Sequence, residues 1–236
     1  MEFQIKINTS DKLALRDPED TPLGRSIVRK GLVLMDELGL EHFTFKKLAH
    51  EINTTEASIY RYFENKHRLL LYLLTWYWNY MEYLVVFSLH NLNDPKQKLQ
   101  KIIALMVSPL PDGLDNSGMD KKALHNLVIA ESSKAYLIRE VEEINSVRLF
   151  KPYKDLCGRI AGIMREYNPT YPYPHSLSST LIEMAHFQHY FMLHLPSLTN
   201  FSAKKDPNEI ILFLDNLVFS TLSQSGLNNP TSELGS

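Results

Sequence analysis

The chain has 236 residues, with 25 Lys plus Arg against 27 Asp plus Glu, 44% hydrophobic and 11% aromatic side chains, 9 Gly and 12 Pro. Those values describe an ordinary globular chain and exclude low-complexity and solenoid sequences. One cysteine, Cys157, excludes a disulfide framework and a cysteine-built zinc site, and a net charge of -2 leaves any nucleic-acid contact to a local patch.

Residues 1–20 lack a basic start, an apolar run and a small-residue cleavage site, so no secretory signal is expected and a cytoplasmic location is. Within them Phe3, Ile5 and Ile7 alternate with Gln4 and Lys6 as a half-buried strand does. Five residues cannot make a sheet, and Asp17 to Pro22 then breaks the chain. Residues 1–20 are therefore read as an arm, either mobile or laid on another surface.

Helical periodicity follows. Thr21-Pro22 is a helix start, Ile27, Gly31, Leu34, Met35 and Leu38 share a face, and Gly39 ends the helix. Thr44 starts a second helix with Leu48, Ala49 and Ile52 inward, and Thr55 a third through Ile59, Tyr60 and Phe63. Asn65 caps a fourth that runs to about Leu89, making the linker a continuous helix. A membrane span over Leu69 to Leu89 is rejected, because Asn79, Glu82 and the Tyr and Trp side chains would sit near mid-bilayer. A helix apolar on most sides is instead one buried in a helical protein.

Asp94-Pro95 opens a fifth helix that stops near Pro109, and Pro111 to Gly118 is loop. Further helices are expected over Asp120 to about Ile138, from Val141 to before Pro169 with a kink at Lys151-Pro152, over Ser176 to Leu195, and over Pro207 to Ser223. The last dozen residues are expected to be disordered. The fold class is all-α, with about nine helices. The domains expected are an arm (1–20), a three-helix helix-turn-helix unit (21–67), a larger helical domain (68–224) and a tail (225–236).

A helix-turn-helix needs a small residue at the helix crossing, a residue that accepts left-handed torsions in the turn, and an aliphatic anchor in the second helix. Ala49, Asn53 and Ile59 supply these in register. The second helix of such a unit enters the major groove, so Thr55, Glu56, Ala57 and Ser58 can reach base edges, with Tyr60, Arg61 and Tyr62 beside them. Residues 21–75 hold 8 basic against 6 acidic side chains, whereas the segments on either side are each net negative. Lys46 and Lys47 start one helix and Lys66 and Arg68 another; cations there oppose the macrodipole, so they serve something else, such as phosphate.

The run Phe43-Thr44-Phe45-Lys46-Lys47-Leu48-Ala49 through Ser58-Ile59-Tyr60-Arg61-Tyr62-Phe63-Glu64-Asn65-Lys66 resembles the N-terminal signature of the tetracycline-repressor (TetR) family of bacterial transcription regulators. The resemblance covers roughly residues 23–75. It implies phosphate contacts for Tyr60, Lys66 and the Thr44 cap. It also implies base contacts for Lys46, Glu56, Ala57 and Ser58, and base or backbone contacts for Arg61 and Tyr62. Asn53 replaces the usual turn glycine. Glu56 is acidic at a groove-facing site, where it can accept from cytosine N4 or simply favour the helix N-terminus.

The fourth helix carries many aromatics, of which Trp76, Tyr80, Tyr83 and Phe87 share a face. Core packing explains any one of them, but so many Tyr hydroxyls need partners or a cavity. The resemblance implies an effector pocket, which these four would line with Phe150, Tyr153 and Phe187. Glu183, His186 and His189 drift round their helix, so convergence on one metal is poor and interior or interface histidines are the commoner reading. No nucleophile, base and orienter set stands out, so no catalytic residue, metal or cofactor is assigned. Two apolar faces on each of the last two helices, with the resemblance, imply a homodimer through a four-helix bundle. The expected protein is a DNA-binding regulator, a repressor on a palindromic operator that answers a small-molecule effector. A helical ligand-binding protein or enzyme with a vestigial helix-turn-helix is the alternative.

Overall fold

The computed structural model describes residues 13–111, 117–136 and 150–223, and every regular element among them is helical. In chain order these are α1 (Pro22–His42), α2 (Phe45–Glu51), α3 (Glu56–Tyr60), α4 (Lys66–Leu89), α5 (Pro95–Val107), α6 (Lys121–Glu131), α7 (Ser133–Tyr136), α8 (Lys151–Tyr167), α9 (Pro174–His194) and α10 (Pro207–Ser223). Short 3-10 turns lie at Pro18–Asp20 and Pro196–Leu198. The all-α expectation is met. Among the described residues, the run expected as one helix from Asp120 divides at Ser132 into α6 and α7. The Phe3 to Ile7 alternation, residues 137–149 of the long expected helix and the C-terminal tail lie outside the described residues.

Several helix starts have a local chemical cause. Thr21, Thr44 and Thr55 accept side-chain caps from the N–H groups of Gly24 (3.0 Å), Lys47 (3.2 Å) and Ser58 (3.2 Å). Asn65 accepts from Arg68 N–H at 2.9 Å, and Asp120 from Ala123 N–H at 2.9 Å. Such caps satisfy backbone donors that the helix leaves unpaired, each stabilising by about 1 kcal/mol. Gly39 interrupts α1 at φ 71, ψ 156, and the chain makes one further turn to His42. That torsion pair lies outside the left-handed helical region, so Gly39 kinks α1 without ending it as a simple cap does.

Two compact units share the chain. The first comprises Met1–Phe87 with Ser108–Leu156, the second Ser88–Val107 with Cys157–Ser236. In the first, α1 packs on α2 and α6, and α2 on α3. Every side chain from Leu69 to Trp78 of α4 is buried, which is why its sequence is apolar on most sides. In the second, α5, α9 and α10 pack on one another. The inward stripe there is Leu181 and Ala185 of α9 with Ile210, Leu214 and Val218 of α10. A further face stays open, with Phe187, Leu193, Leu212 and Phe213 exposed.

The contact between α1 and α6 includes a carboxylate. Asn126 Nδ2 donates to Asp36 Oδ2 at 3.4 Å. Burial pushes the Asp36 carboxyl above its usual 3.8, with Asp120 and Glu37 adding to the rise and the Asn126 bond and Lys122 opposing it. A raised native pKa means that the folded state holds its proton better than the unfolded chain. The contribution to stability is therefore fully present below the unfolded value and is lost as pH rises through the native one. Asp36→Asn is expected to raise the thermal midpoint at neutral pH and to flatten its change on acidification. Calorimetry at two pH values checks this, and a lower midpoint at neutral pH would contradict it.

Candidate nucleic-acid interface and effector site

The turn between α2 and α3 is set by Asn53, which sits at φ 51. Its N–H donates to His50 O at 3.3 Å, and Thr54 N–H donates to Ala49 O at 2.9 Å, closing α2 before the chain reverses. Ala49 is buried where α2 meets α3, and Ile59 is fully buried beneath. Phe45 of α2 meets the Tyr60 ring edge-on, centroids 5.1 Å apart, and so fixes the far end of α3. The three residues singled out for this geometry occupy the roles expected of them.

That arrangement turns one face of α2 and α3 to solvent. Thr44, Lys46, Thr55, Glu56, Ala57, Tyr60 and Arg61 are exposed and Ser58 is half-buried. Tyr60 keeps 47% of its surface open although it is aromatic. Lys46 and Arg61 have no ion-pair or hydrogen-bond partner among the described residues. Glu56 lies in the first turn of α3, where the macrodipole favours a carboxylate. Tyr62 departs from the expectation. It is only 3% exposed, its hydroxyl shares a 2.7 Å hydrogen bond with Thr21 Oγ1, and it packs as an internal side chain.

Three of the cations thought to surround α3 are engaged within the chain. Lys47 Nζ donates to His42 O at 2.9 Å, and Arg68 Nε pairs with Glu64 at 3.5 Å. Lys66 Nζ donates to Leu40 O (2.7 Å), Glu41 O (3.1 Å) and Phe43 O (3.4 Å). An ammonium has three donors, and all three here cap the C-terminal carbonyls of α1. Its place in the sequence motif is thus one that holds α1 to the start of α4. Leu40 is held at its other end too: its N–H, freed by the kink at Gly39, donates to Glu131 Oε1 of α6 at 3.2 Å. Glu131 is itself buried and paired with Lys134 at 2.9 Å.

The expected effector residues divide. Trp76 and Tyr80 are buried and stacked, centroids 5.2 Å apart. Tyr80 Oη donates to Pro111 O at 3.0 Å. Tyr83 and Phe87 stack at 6.1 Å, with Phe87 64% exposed, and Tyr153 lies 4.7 Å from Trp78. Phe150 is half-buried in the same unit. Phe187 belongs to the second unit, where it stacks on Phe191 at 6.0 Å.

Sequence reasoning missed Lys121. Its side chain is buried, with Nζ 4.2 Å from the centroid of Trp76, 4.7 Å from that of Tyr80 and 3.2 Å from Ser117 Oγ. The available signal was a lysine in the first turn of α6, opposing the macrodipole. Glu131, an acid in the last turn of the same helix, carried the mirror-image signal. Among the described residues no group of three or more His, Cys, Asp or Glu is placed to hold a metal. No described helix is long and apolar enough to cross a membrane.

Together these helices form a helix-turn-helix DNA-binding unit. Residues 27–73 match the model of the bacterial regulatory proteins of the tetR family, so this part of the chain carries the DNA-binding domain of that family. Among solved structures, the chain is similar to AibR in complex with isovaleryl coenzyme A and operator DNA, at TM-score 0.58 and 13% identity over 83% of this chain and 97% of that one. It is also similar to the fatty acid degradation regulator FadR from Bacillus halodurans, at TM-score 0.56 and 15% identity over 85% and 98% of the two chains. At these identities the likeness is one of fold. No curated protein matches the sequence.

Proposed function

We propose that the protein is a ligand-responsive repressor that binds a palindromic operator as a homodimer. The observation that carries the DNA reading is the open face of α2 and α3, where Lys46 and Arg61 stand without partners beside an exposed Tyr60. Thr44, Lys46, Tyr60 and Arg61 are assigned to phosphate or base edges, and Thr55, Glu56, Ala57 and Ser58 to the floor of the major groove. Lys66 is assigned to these contacts indirectly, through the α1 carbonyls it holds. Residues 21–67 are the proposed DNA-binding domain and 68–224 the effector-binding and dimerisation domain. The open face of α9 and α10, with Phe187, Leu212 and Phe213 exposed, supports a dimer built from those two helices. Half-sites on DNA repeat at about 34 Å, so a small change in the separation of two α3 helices ends simultaneous contact.

The effector is assigned to the aromatic group of the first unit, Trp76, Tyr80, Tyr83, Phe87, Phe150 and Tyr153. No catalytic step belongs to this reading, and its place of work is the cytoplasm, with the DNA. Both tryptophans of the chain, Trp76 and Trp78, lie on this stretch of α4, so selectively excited tryptophan fluorescence reports on it. The deciding experiment selects duplexes from a random library with the wild-type protein and titrates the winner at several salt concentrations. Arg61→Ala with Tyr60→Phe is expected to weaken binding and make the salt dependence shallower. A small molecule that releases the duplex should also change tryptophan fluorescence. Undiminished affinity in the double variant removes the contact assignment, and release without a fluorescence change removes the effector assignment.

A further inference from the structure

The segment before α1 is pinned at both ends. Leu13 is 2% exposed, and Pro18 is buried against the first turn of α1. A Cβ on Gly24 would lie 2.2 Å from Pro18 O and 2.6 Å from Pro18 Cα, so only glycine admits this approach. Midway, Leu15 N–H donates to Tyr62 O at 2.8 Å, two residues beyond the end of α3. Between the anchors, Leu15 and Arg16 face solvent. The Arg16 guanidinium stands 5.6 Å from the centroid of Tyr62, within reach of a cation–π attraction, and has no ion-pair partner among the described residues. The arm thus meets Tyr62 twice: its Leu15 N–H holds the Tyr62 carbonyl and the Arg16 guanidinium lies near the ring.

We infer that this pinned arm is a second DNA-binding element, in which Arg16 takes the phosphodiester backbone of the duplex next to the groove that α3 enters. The inference rests on the DNA contacts proposed for α2 and α3, and extends them. Its physical basis is local charge. Net charge over residues 1–20 is negative, yet among the described residues Arg16 forms no ion pair with Asp17, Glu19 or Asp20. Asp17 caps the turn by accepting from Glu19 N–H at 2.9 Å, and Glu19 accepts from Tyr72 Oη at 3.5 Å. Among the described residues of the arm, Arg16 is the cation turned outward, over the ring of Tyr62, which follows Arg61 in sequence. An arginine held on a ring is already oriented, so it loses less freedom on binding phosphate than a free side chain.

Arg16→Gln tests this on the full chain, with the duplex selected by the wild type and a mixed-sequence duplex of the same length. Both affinities are expected to fall together, and the slope of log affinity on log salt to become shallower by about one. Arg16→Lys should restore the slope. Gly24→Ala, which displaces Pro18, should reproduce the shallower slope, and adding Arg16→Gln to it should change little more. Thermal melts check that each variant is folded. Unchanged affinity and slope in Arg16→Gln overturn the inference while leaving the α3 contacts standing. A loss that depends on flanking sequence overturns the assignment to backbone. Wild-type binding without salt dependence overturns the α3 contacts as well.

Discussion

Lys66→Met is expected to lower the thermal midpoint of the protein in the absence of any DNA. The substitution keeps most of the aliphatic stem and removes the ammonium that donates to Leu40, Glu41 and Phe43 carbonyls. Hydrogen bonds from a charged group contribute about 1.5–3 kcal/mol, and the carbonyls left behind sit in a partly buried helix end. For a chain of this size each kcal/mol moves the midpoint by about 2–4 °C. Operator affinity should fall by more than that loss alone explains, because α1 runs through the same turn into Thr44, the cap of α2. Lys66→Arg should recover only part, since a planar fork does not reproduce three donors converging on one point. If Lys66 served DNA phosphate alone, the midpoint without DNA would not move. Differential scanning calorimetry and retardation on the selected duplex separate the two roles.

Glu131 makes that turn a junction. Leu40 gives its N–H to α6 and its carbonyl to the start of α4, so one residue ties three helices of the first unit together. Buried carboxylates are costly unless hydrogen-bonded, and here the Leu40 N–H and the Lys134 ammonium supply the compensation.

Asn53→Val is expected to destabilise the first unit and abolish operator binding, whereas Asn53→Gly leaves both close to wild type. At φ 51 a residue with a Cβ carries a cost of about 1–2 kcal/mol; Asn tolerates the region better than most, and a β-branched side chain worst of all. The native turn survives only if the strain is absorbed. The alternative is a change in the angle between α2 and α3, which moves Thr55 to Ser58 away from the groove. Thermal melts give the first effect and titration of the selected duplex the second. Equal behaviour of the Val and Gly variants would show that the torsion at 53 is not what sets the angle.

The helix starts at Thr21, Thr44, Thr55 and Asn65 were legible because a cap is a local interaction, decided by one side chain and a backbone N–H three residues on. The helix-turn-helix was legible for the same reason: Ala49, Asn53 and Ile59 act through size and torsion within a span of eleven residues, counting both ends. Burial of α4 could be read from its lack of a polar face. The fates of Tyr62, Lys66 and Lys121 could not. Each depends on a residue at least 23 positions away, as the separations to Thr21, Phe43, Trp76 and Tyr80 attest. Sequence periodicity carries no information about which distant groups meet.

By itself, then, the sequence determined the class of fold, the caps and the turn that aims α3, since each follows from short-range sterics and hydrogen bonding. Only the tertiary structure decided which cations are engaged within the chain. Lys46 and Arg61 are left open, while Lys47, Lys66 and Arg68 are taken up by carbonyls and by Glu64. Arg16, from a segment read as net negative, is turned outward beside α3. The near-neutral composition hid this because charge acts where folding puts it, and long-range packing, which no count of residues contains, does the placing.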